Sequence, residues 1–143
     1  MAPFVSALDT YHSLTQPSTW LESVVKAYVG EGLAADFYRE VAAFVDEPTR
    51  ELIYEVIVDA DRARFASREV RSAIGAATDG TAVVDRAALW ARRLLGEAIS
   101  RTQHVLAERD ALMLLLVDGA GGLSGIAELT ARVTERHSER MRA

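Results

Sequence analysis

The 143-residue sequence predicts an all-α protein, an up-and-down helical bundle that forms one domain over residues 1–143. Apolar residues recur three, four and seven positions apart over long stretches, which is the spacing of one helix face. The prolines, at positions 3, 17 and 48, lie where helices can begin. No stretch shows the sustained alternation of apolar and polar residues that a half-buried strand requires. Long helices joined by short turns favour packing around a single core.

Polar turns and the prolines set the predicted ends of the helices. A capping box formed by Thr19 and Glu22 opens the second helix. Pro48 opens the third, because a proline in a first turn removes no helical hydrogen bond. We predict helices from Pro3 to about Leu14, from Thr19 to about Val45, from Pro48 to about Ile74, from between Ala82 and Asp85 to about Val117, and from Ser124 to the C-terminus.

Composition excludes several classes of function. The chain has no cysteine, which removes disulfides, thiolate zinc sites and cysteine nucleophiles. Its net charge of −5 opposes broad binding to nucleic acid, because phosphate contacts require a basic surface. No apolar run reaches the ~18 residues that cross a bilayer, and no secretory signal is recognisable. We therefore expect a cytoplasmic protein that binds neither membranes nor nucleic acid.

Two carboxylates interrupt apolar stripes and are candidate remnant metal ligands. Glu31 has only apolar or aromatic neighbours on its predicted helix face, where an ionised carboxylate is costly without a compensating cation or donor. Asp59 interrupts a heptad-spaced stripe on the third helix, and Arg62 reaches the same face. The alternative for Glu31 is a position at the bundle edge, or a carboxylate that accepts a hydrogen bond from a tyrosine hydroxyl. For Asp59 it is a local ion pair with Arg62.

Three further residues are weaker candidates. Glu97 and His104 lie in one line with Arg101 and Glu108 on the fourth helix. The pairs Glu97–Arg101 and His104–Glu108, each four residues apart, also fit a solvated, ion-paired face. His137 lies between apolar residues of the last helix, where the alternative to a ligand is a hydrogen-bonded core histidine.

A complete di-iron site is not predicted within one chain. Carboxylate di-iron bundles use a Glu from each of two helices and a Glu-x-x-His pair from each of two others. The sequence has no Glu-x-x-His, and the nearest variant is Asp9-x-x-His12 on the first helix. The third helix has Asp59-x-x-Arg62, and arginine stays protonated and cannot ligate a metal. We therefore expect no cofactor in the isolated chain.

Several segments of the sequence resemble a known bacterial family. They are Pro3-Phe4 with Leu8-Asp9 and Tyr11-His12, Pro17 with Trp20-Leu21-Glu22, residues 26–40 (KAYVGEGLAADFYRE), residues 88–94 (ALWARRL), residues 107–112 (AERDAL), and Thr134-x-x-His137-x-x-Arg140-Met141. Together they resemble the bacterial ferritin-like family named for its similarity to tRNA isopentenyl-adenosine hydroxylases. The likeness covers nearly the whole chain and is most specific over residues 28–39.

The resemblance implies a ferritin-like bundle and gives roles to three residues. Glu31 matches the family's helix-borne carboxylate. Asp59 matches the first member of its second ligand pair, and Arg62 stands where a histidine is expected. Family members have two further N-terminal helices, whose ligands have no counterpart here. Our first hypothesis is a degenerate or truncated ferritin-like protein, in which Arg62 supplies the charge of the missing metal to Asp59, with Glu31 as a second candidate partner.

Two other hypotheses come from different classes of protein. One is a di-iron hydroxylase resembling the tRNA-modifying enzymes, whose site is completed by another chain that donates the missing helices. Its di-iron cofactor would bind only in that complex. The other is a non-catalytic helical interaction module. Missing helices would leave apolar faces uncovered on the second and third helices, which predicts a homodimer.

Overall fold

The computed structural model describes residues 2–57, 60–108, 110, 113–114, 117–118 and 122–142. Six helices and no strand are described along them. They are α1 (Ala2–Leu14), α2 (Trp20–Ala42), α3 (Glu47–Ile57), α4 (Ala60–Ala76), α5 (Gly80–Glu108) and α6 (Leu123–Arg140). The predicted all-α class is therefore confirmed. Among the described helices, none is both long and apolar enough to cross a membrane.

The start of α2 has the predicted cap, with one difference. The Thr19 hydroxyl accepts from the backbone N–H of Glu22 at 3.1 Å, as an N-cap does. The Glu22 carboxylate accepts from the backbone N–H of Ser18 at 2.6 Å and from its hydroxyl at 2.7 Å, instead of turning back to Thr19. These bonds from Ser18 lower the pKa of Glu22 below its ordinary value. The capping box is thus shifted by one residue, and it fixes the turn as well as the helix.

The C-terminal end of α2 lies at Ala42, before the predicted end near Val45. Arg50 of α3 accounts for the difference, because its guanidinium donates to the carbonyl oxygens of Ala42 at 3.0 Å and Val45 at 3.1 Å. Asp46 then caps α3 by accepting from the backbone N–H of Thr49 at 3.1 Å. Contacts between separate elements therefore end α2 and start α3 within a short turn.

Three other predicted boundaries differ from the structure, and one is the end of the last helix, which was predicted to reach the C-terminus but lies at Arg140. The third helix, predicted from Pro48 to about Ile74, is described in two parts, α3 and α4, and residues 58–59 between them lie outside the described part. The fourth begins earlier than predicted, at Gly80, because Asp79 caps it by accepting from the backbone N–H of Ala82 at 3.0 Å. Its predicted end near Val117 falls in a stretch that is only partly described.

The central helix of the bundle is α2. It packs against α3, α4, α5 and α6, while α1 packs against α5. The core cluster joins the two longest helices and contains Val25, Val29 and Leu33 from α2 with Ala91 and Leu94 from α5. Because α2 has neighbours on several sides, polar residues on more than one of its faces lie close to another helix.

Candidate functional site: a buried cluster of carboxylates and arginines

The stripe that α2 presents to the core ends in two buried carboxylates. Val29 and Leu33 are followed by Asp36 and Glu40 at spacings of three and four, which places all of them on one helix face. Asp36 is 1% exposed and Glu40 is 8% exposed. Ionised carboxylates at this depth require partners of opposite charge, because burial disfavours the charged form.

Two arginines of α6 hold Glu40. Arg132 Nε donates to Glu40 Oε2 at 2.8 Å, and Arg136 Nη1 lies 2.7 Å from Glu40 Oε1. Glu128, one turn earlier on α6, lies 3.7 Å from Arg132 Nη1. Both arginine side chains are partly exposed, so this end of the cluster opens toward solvent.

Asp36 is held by one arginine from each helix. Arg140 Nη2 of α6 donates to Asp36 Oδ2, and Arg39 Nη1 of α2 donates to Oδ1 at 3.0 Å. The Arg140 side chain is 18% exposed and that of Arg39 is 44% exposed, so Arg140 is the main buried charge opposite Asp36. All four carboxylate oxygens of the site thus face different guanidinium groups. We call the six residues the acid–arginine cluster: Asp36, Arg39, Glu40, Arg132, Arg136 and Arg140.

A glycine on α2 makes room for Arg140. A Cβ added at Gly32 would lie 2.6 Å from Arg140 Cζ and 2.7 Å from its Nε and Nη1. Those separations are far inside van der Waals contact, so any larger residue would displace the guanidinium. Around Gly30, on the same helix, an added Cβ would meet nothing within 4 Å. The close approach of α6 to α2 therefore depends on Gly32 specifically.

His137 of α6 is buried beside the cluster. It is 2% exposed, and within the described part of the chain neither of its ring nitrogens has a hydrogen-bond partner. Burial lowers the pKa of His137 below its ordinary value, the positive charge of Arg140 lowers it further, and the charge of Asp36 opposes both effects. These surroundings therefore favour the neutral form of the imidazole over the charged form. The sequence predicted either a ligand or a hydrogen-bonded core residue at this position. The structure buries His137 in the core, and the hydrogen bond is absent from the described part of the chain.

Of the three residues of the first hypothesis, Glu31 is the one whose side-chain surroundings the structure describes. Glu31 lies on α2 and is partly buried. Glu31 is two positions from both Val29 and Leu33 along the chain. It therefore lies about 200° around the axis of α2 from the buried stripe to which these two residues belong. Asp59 lies outside the described residues, and of Arg62 only its backbone position on α4 is described. The predicted pairing of Arg62 with Asp59 thus stays a prediction.

The weaker candidates on α5 form one of their two predicted pairs. His104 Nε2 lies 3.3 Å from Glu108 Oε1, and both side chains are exposed, as expected for a solvated face. Glu97 and Arg101, although also four residues apart, form no ion pair within 4.0 Å in the described structure. Arg101 instead lines a groove between α1, α2 and α5.

The described residues do not fit a di-iron centre. Among them, no three His, Asp or Glu side chains are grouped so that they could hold a metal ion. The two buried carboxylates already face four guanidinium groups, whose positive charges oppose a divalent cation at the same place. What the arrangement can do chemically is to fix α6 against α2 through charge-assisted hydrogen bonds.

Sequence reasoning missed the two buried carboxylates, although a signal for them was present. Asp36 and Glu40 continue the α2 stripe, and Arg132, Arg136 and Arg140 recur at a spacing of four on the last helix. One helix thus carries two acids four residues apart, and another carries three bases at the same spacing. This pattern predicts a charged interface between the two helices.

Long helices around one core define an all-α helical bundle. A family model described as the ferritin-like domain of actinomycetes matches residues 1–119. The chain therefore belongs to this family. No curated protein matches the chain. The finer resemblance, to proteins named for tRNA hydroxylases, stays a prediction.

Proposed function

We propose that this chain is a ferritin-like domain in which arginines have taken the place of a metal, so that it carries no di-iron centre of its own. Its function is then to bind a ligand or a partner and not to catalyse a reaction. One observation carries the proposal: each oxygen of Asp36 and Glu40 faces a different guanidinium. In di-iron bundles the inward carboxylates bind the metal. An arginine supplies positive charge and directed donors, but it offers no metal ligand and no redox chemistry.

The charge balance of the cluster supports this interpretation. Asp36 and Glu40 contribute two negative charges, and four arginines lie within 4.0 Å of them, which leaves the six residues with a net charge of +2. Adding a divalent cation would place it next to these like charges, which repel it. Metal loading would therefore require arginines to leave, and Arg140 is mostly buried.

Metal analysis tests the proposal directly. The full chain is produced in iron-supplemented medium, reconstituted anaerobically with Fe(II), desalted and assayed for bound iron. We expect no stoichiometric iron and no rise in melting temperature with Fe(II), because a ligand that binds the folded state would stabilise it. Two bound irons per chain would overturn the proposal in favour of a di-iron enzyme. Iron that co-purifies only with a complex would overturn it in favour of a site completed by a partner.

A stability measurement tests the role of the arginines separately from the metal. Arg136→Met removes the partner of Glu40 Oε1, and Arg92→Met removes an exposed arginine of α5 as a control. We expect Arg136→Met to lower the free energy of unfolding by about 1 kcal/mol, since an ion pair with Glu40 is lost at a partly exposed position. The control is expected to stay within about 0.5 kcal/mol of the wild type. Equal effects of the two substitutions would remove the basis for charge pairing.

A second candidate function is self-association, which the surface of α3 favours. This helix has no buried residue, and Leu52 and Val56, four positions apart on one face, are 60% and 71% exposed. Contiguous exposed apolar patches mark association surfaces, and Leu52 and Val56 are neighbours on one helix face. We propose a homodimer through this face. Light scattering at micromolar concentration is expected to give the dimer mass for the wild type. A variant with both Leu52→Gln and Val56→Gln is expected to give the monomer mass. A monomeric wild type would contradict the proposed homodimer.

A further inference from the structure

A groove of about 590 Å³ opens between α1, α2 and α5. Its volume falls in the range of roughly 300–1,000 Å³ that small-molecule sites occupy. Most of its wall is apolar, and its lining residues include Phe4, Leu8 and Tyr11 of α1, Leu33 and Phe37 of α2, and Val105 of α5. Phe4 and Leu8 are 38% and 52% exposed, so these two residues of the groove wall remain accessible to solvent. The groove shares no residue with the acid–arginine cluster.

Arg101 is the charged residue among the described residues that line this groove. Its Nε is buried and has no hydrogen-bond partner, and its Nη2 reaches only the hydroxyl of the adjacent Ser100, at 3.3 Å. Glu97, one turn earlier, does not pair with it. A guanidinium with a buried donor and no carboxylate is under-satisfied, since a buried donor without an acceptor is costly. It therefore offers an anchor for an anion.

Gly30 is a second, independent observation at the same groove. It lies in the middle of α2, where glycine weakens a helix relative to alanine. No packing within the described structure requires it, because an added Cβ would meet nothing within 4 Å. A glycine at such a position leaves the backbone open to close approach by a ligand. Because glycine has no side chain, nothing fills the groove at this point of its wall.

We propose that this groove binds a small amphipathic anion, with an alkyl chain along the apolar walls and a carboxylate on Arg101. One cation beside a long apolar surface matches one anionic head on one apolar tail. A carboxylate is the natural partner because a guanidinium binds it through paired hydrogen bonds. The inference gives a ligand class to the binding role proposed above and rests on that role. Its test is separate, because no residue of the acid–arginine cluster is changed in it.

The test uses isothermal titration of the full chain with decanoate and with decanol, which has the same chain but no charge. We expect one decanoate to bind per chain, more tightly than decanol. Arg101→Met is expected to weaken decanoate by about tenfold to a hundredfold while leaving decanol unchanged, because only the charged hydrogen bonds are lost. Arg92→Met, on the same helix but exposed and outside the groove, is the matched control and should bind both ligands as the wild type does.

A second pair of variants tests the location. Gly30→Leu fills the groove and is expected to abolish binding of both ligands without lowering the melting temperature, since leucine favours the helix. Gly96→Leu, at an exposed glycine of α5 outside the groove, should leave binding intact. Equal losses for decanoate and decanol in Arg101→Met, or unchanged binding in Gly30→Leu, would overturn the proposal. A chain that binds neither ligand because a second copy fills the groove in a dimer would also overturn it.

Discussion

Replacing Gly32 by alanine is expected to destabilise the protein, although alanine favours helices more than glycine does. The added Cβ would come within 2.7 Å of three atoms of the Arg140 guanidinium. Because the guanidinium is the far end of a flexible side chain, it can move away. Doing so removes it from the buried carboxylate of Asp36, to which its Nη2 donates. The substitution therefore acts through charge pairing rather than through the backbone.

The size of the effect follows from two opposing contributions. Removing one partner from a buried ion pair costs about 3–5 kcal/mol. Arg39 still donates to Asp36 at 3.0 Å, so we take the lower value, about 3 kcal/mol. The helix propensity of alanine returns about 1 kcal/mol. The expected net loss is about 2 kcal/mol, or about 6–8 °C in melting temperature for a chain of this length.

Urea unfolding followed by circular dichroism measures this quantity, and the chain supplies a matched control. Gly30→Ala is on the same helix and meets nothing within 4 Å, so it is expected to stabilise the fold by about 0.5–1 kcal/mol. A double-mutant cycle isolates the contact. In an Arg140→Ala background, Gly32→Ala should lose its penalty and become stabilising, like Gly30→Ala. If Gly32→Ala stabilises the otherwise unchanged chain, Arg140 does not depend on this gap and the reasoning is wrong.

Two further predictions concern pH and the start of α2. Burial, reinforced by Arg140 and opposed by Asp36, lowers the pKa of His137. As pH falls below about 6.5, the unfolded state takes up this proton before the folded state does, so stability is lost by up to about 1.4 kcal/mol per pH unit until the lowered pKa is reached. His137→Gln is expected to show a shallower loss of urea stability between about pH 7.5 and 5.5. Thr19→Ala removes the acceptor for the Glu22 N–H and is expected to cost about 1 kcal/mol in the same assay.

Each of these predictions has a control within the chain. His12→Gln changes an exposed histidine of α1 and should leave the pH dependence as in the wild type. If His137→Gln shows the same pH dependence as the wild type, its burial does not govern acid stability. Thr102→Ala removes an exposed hydroxyl that donates to the Ala98 carbonyl inside α5, where no cap is lost. An equal loss from Thr19→Ala and Thr102→Ala would show that the cap contributes nothing particular.

The all-α class was predictable because its signals are local. Helical periodicity, the prolines and the Thr19 cap each act over a few residues, and they place the starts of α1 and α2 within a residue or two. The end of α2 was misplaced because it is set by Arg50, whose guanidinium takes two carbonyls at the turn. A bond of that kind depends on how α3 folds back, which the local pattern does not report.

The candidate site was harder to predict for a related reason. Small and apolar residues surround Glu31, so its face looks like a core stripe in the sequence. In the structure α2 has several helices around it, and the deepest stripe is the one that includes Asp36 and Glu40. Choosing between two apolar faces of one helix requires knowledge of its neighbours. The arginines that compensate the acids lie 92 and 104 residues further on, in Arg132 and Arg140.

The position of Arg140 in the last turn of α6 has a consequence for the order of folding. During synthesis, α1 to α5 emerge before α6, so α2 can join the core cluster with α5 while Asp36 still lacks its main partner. A carboxylate without a partner resists burial, which keeps that end of α2 loosely packed until α6 arrives. Closing a loop of this length is also slow compared with forming the helices themselves. Docking of α6 therefore completes the charge pairing of α2, and a chain without the last turn of α6 is expected to keep its helices and to lose the contact between Arg140 and Asp36.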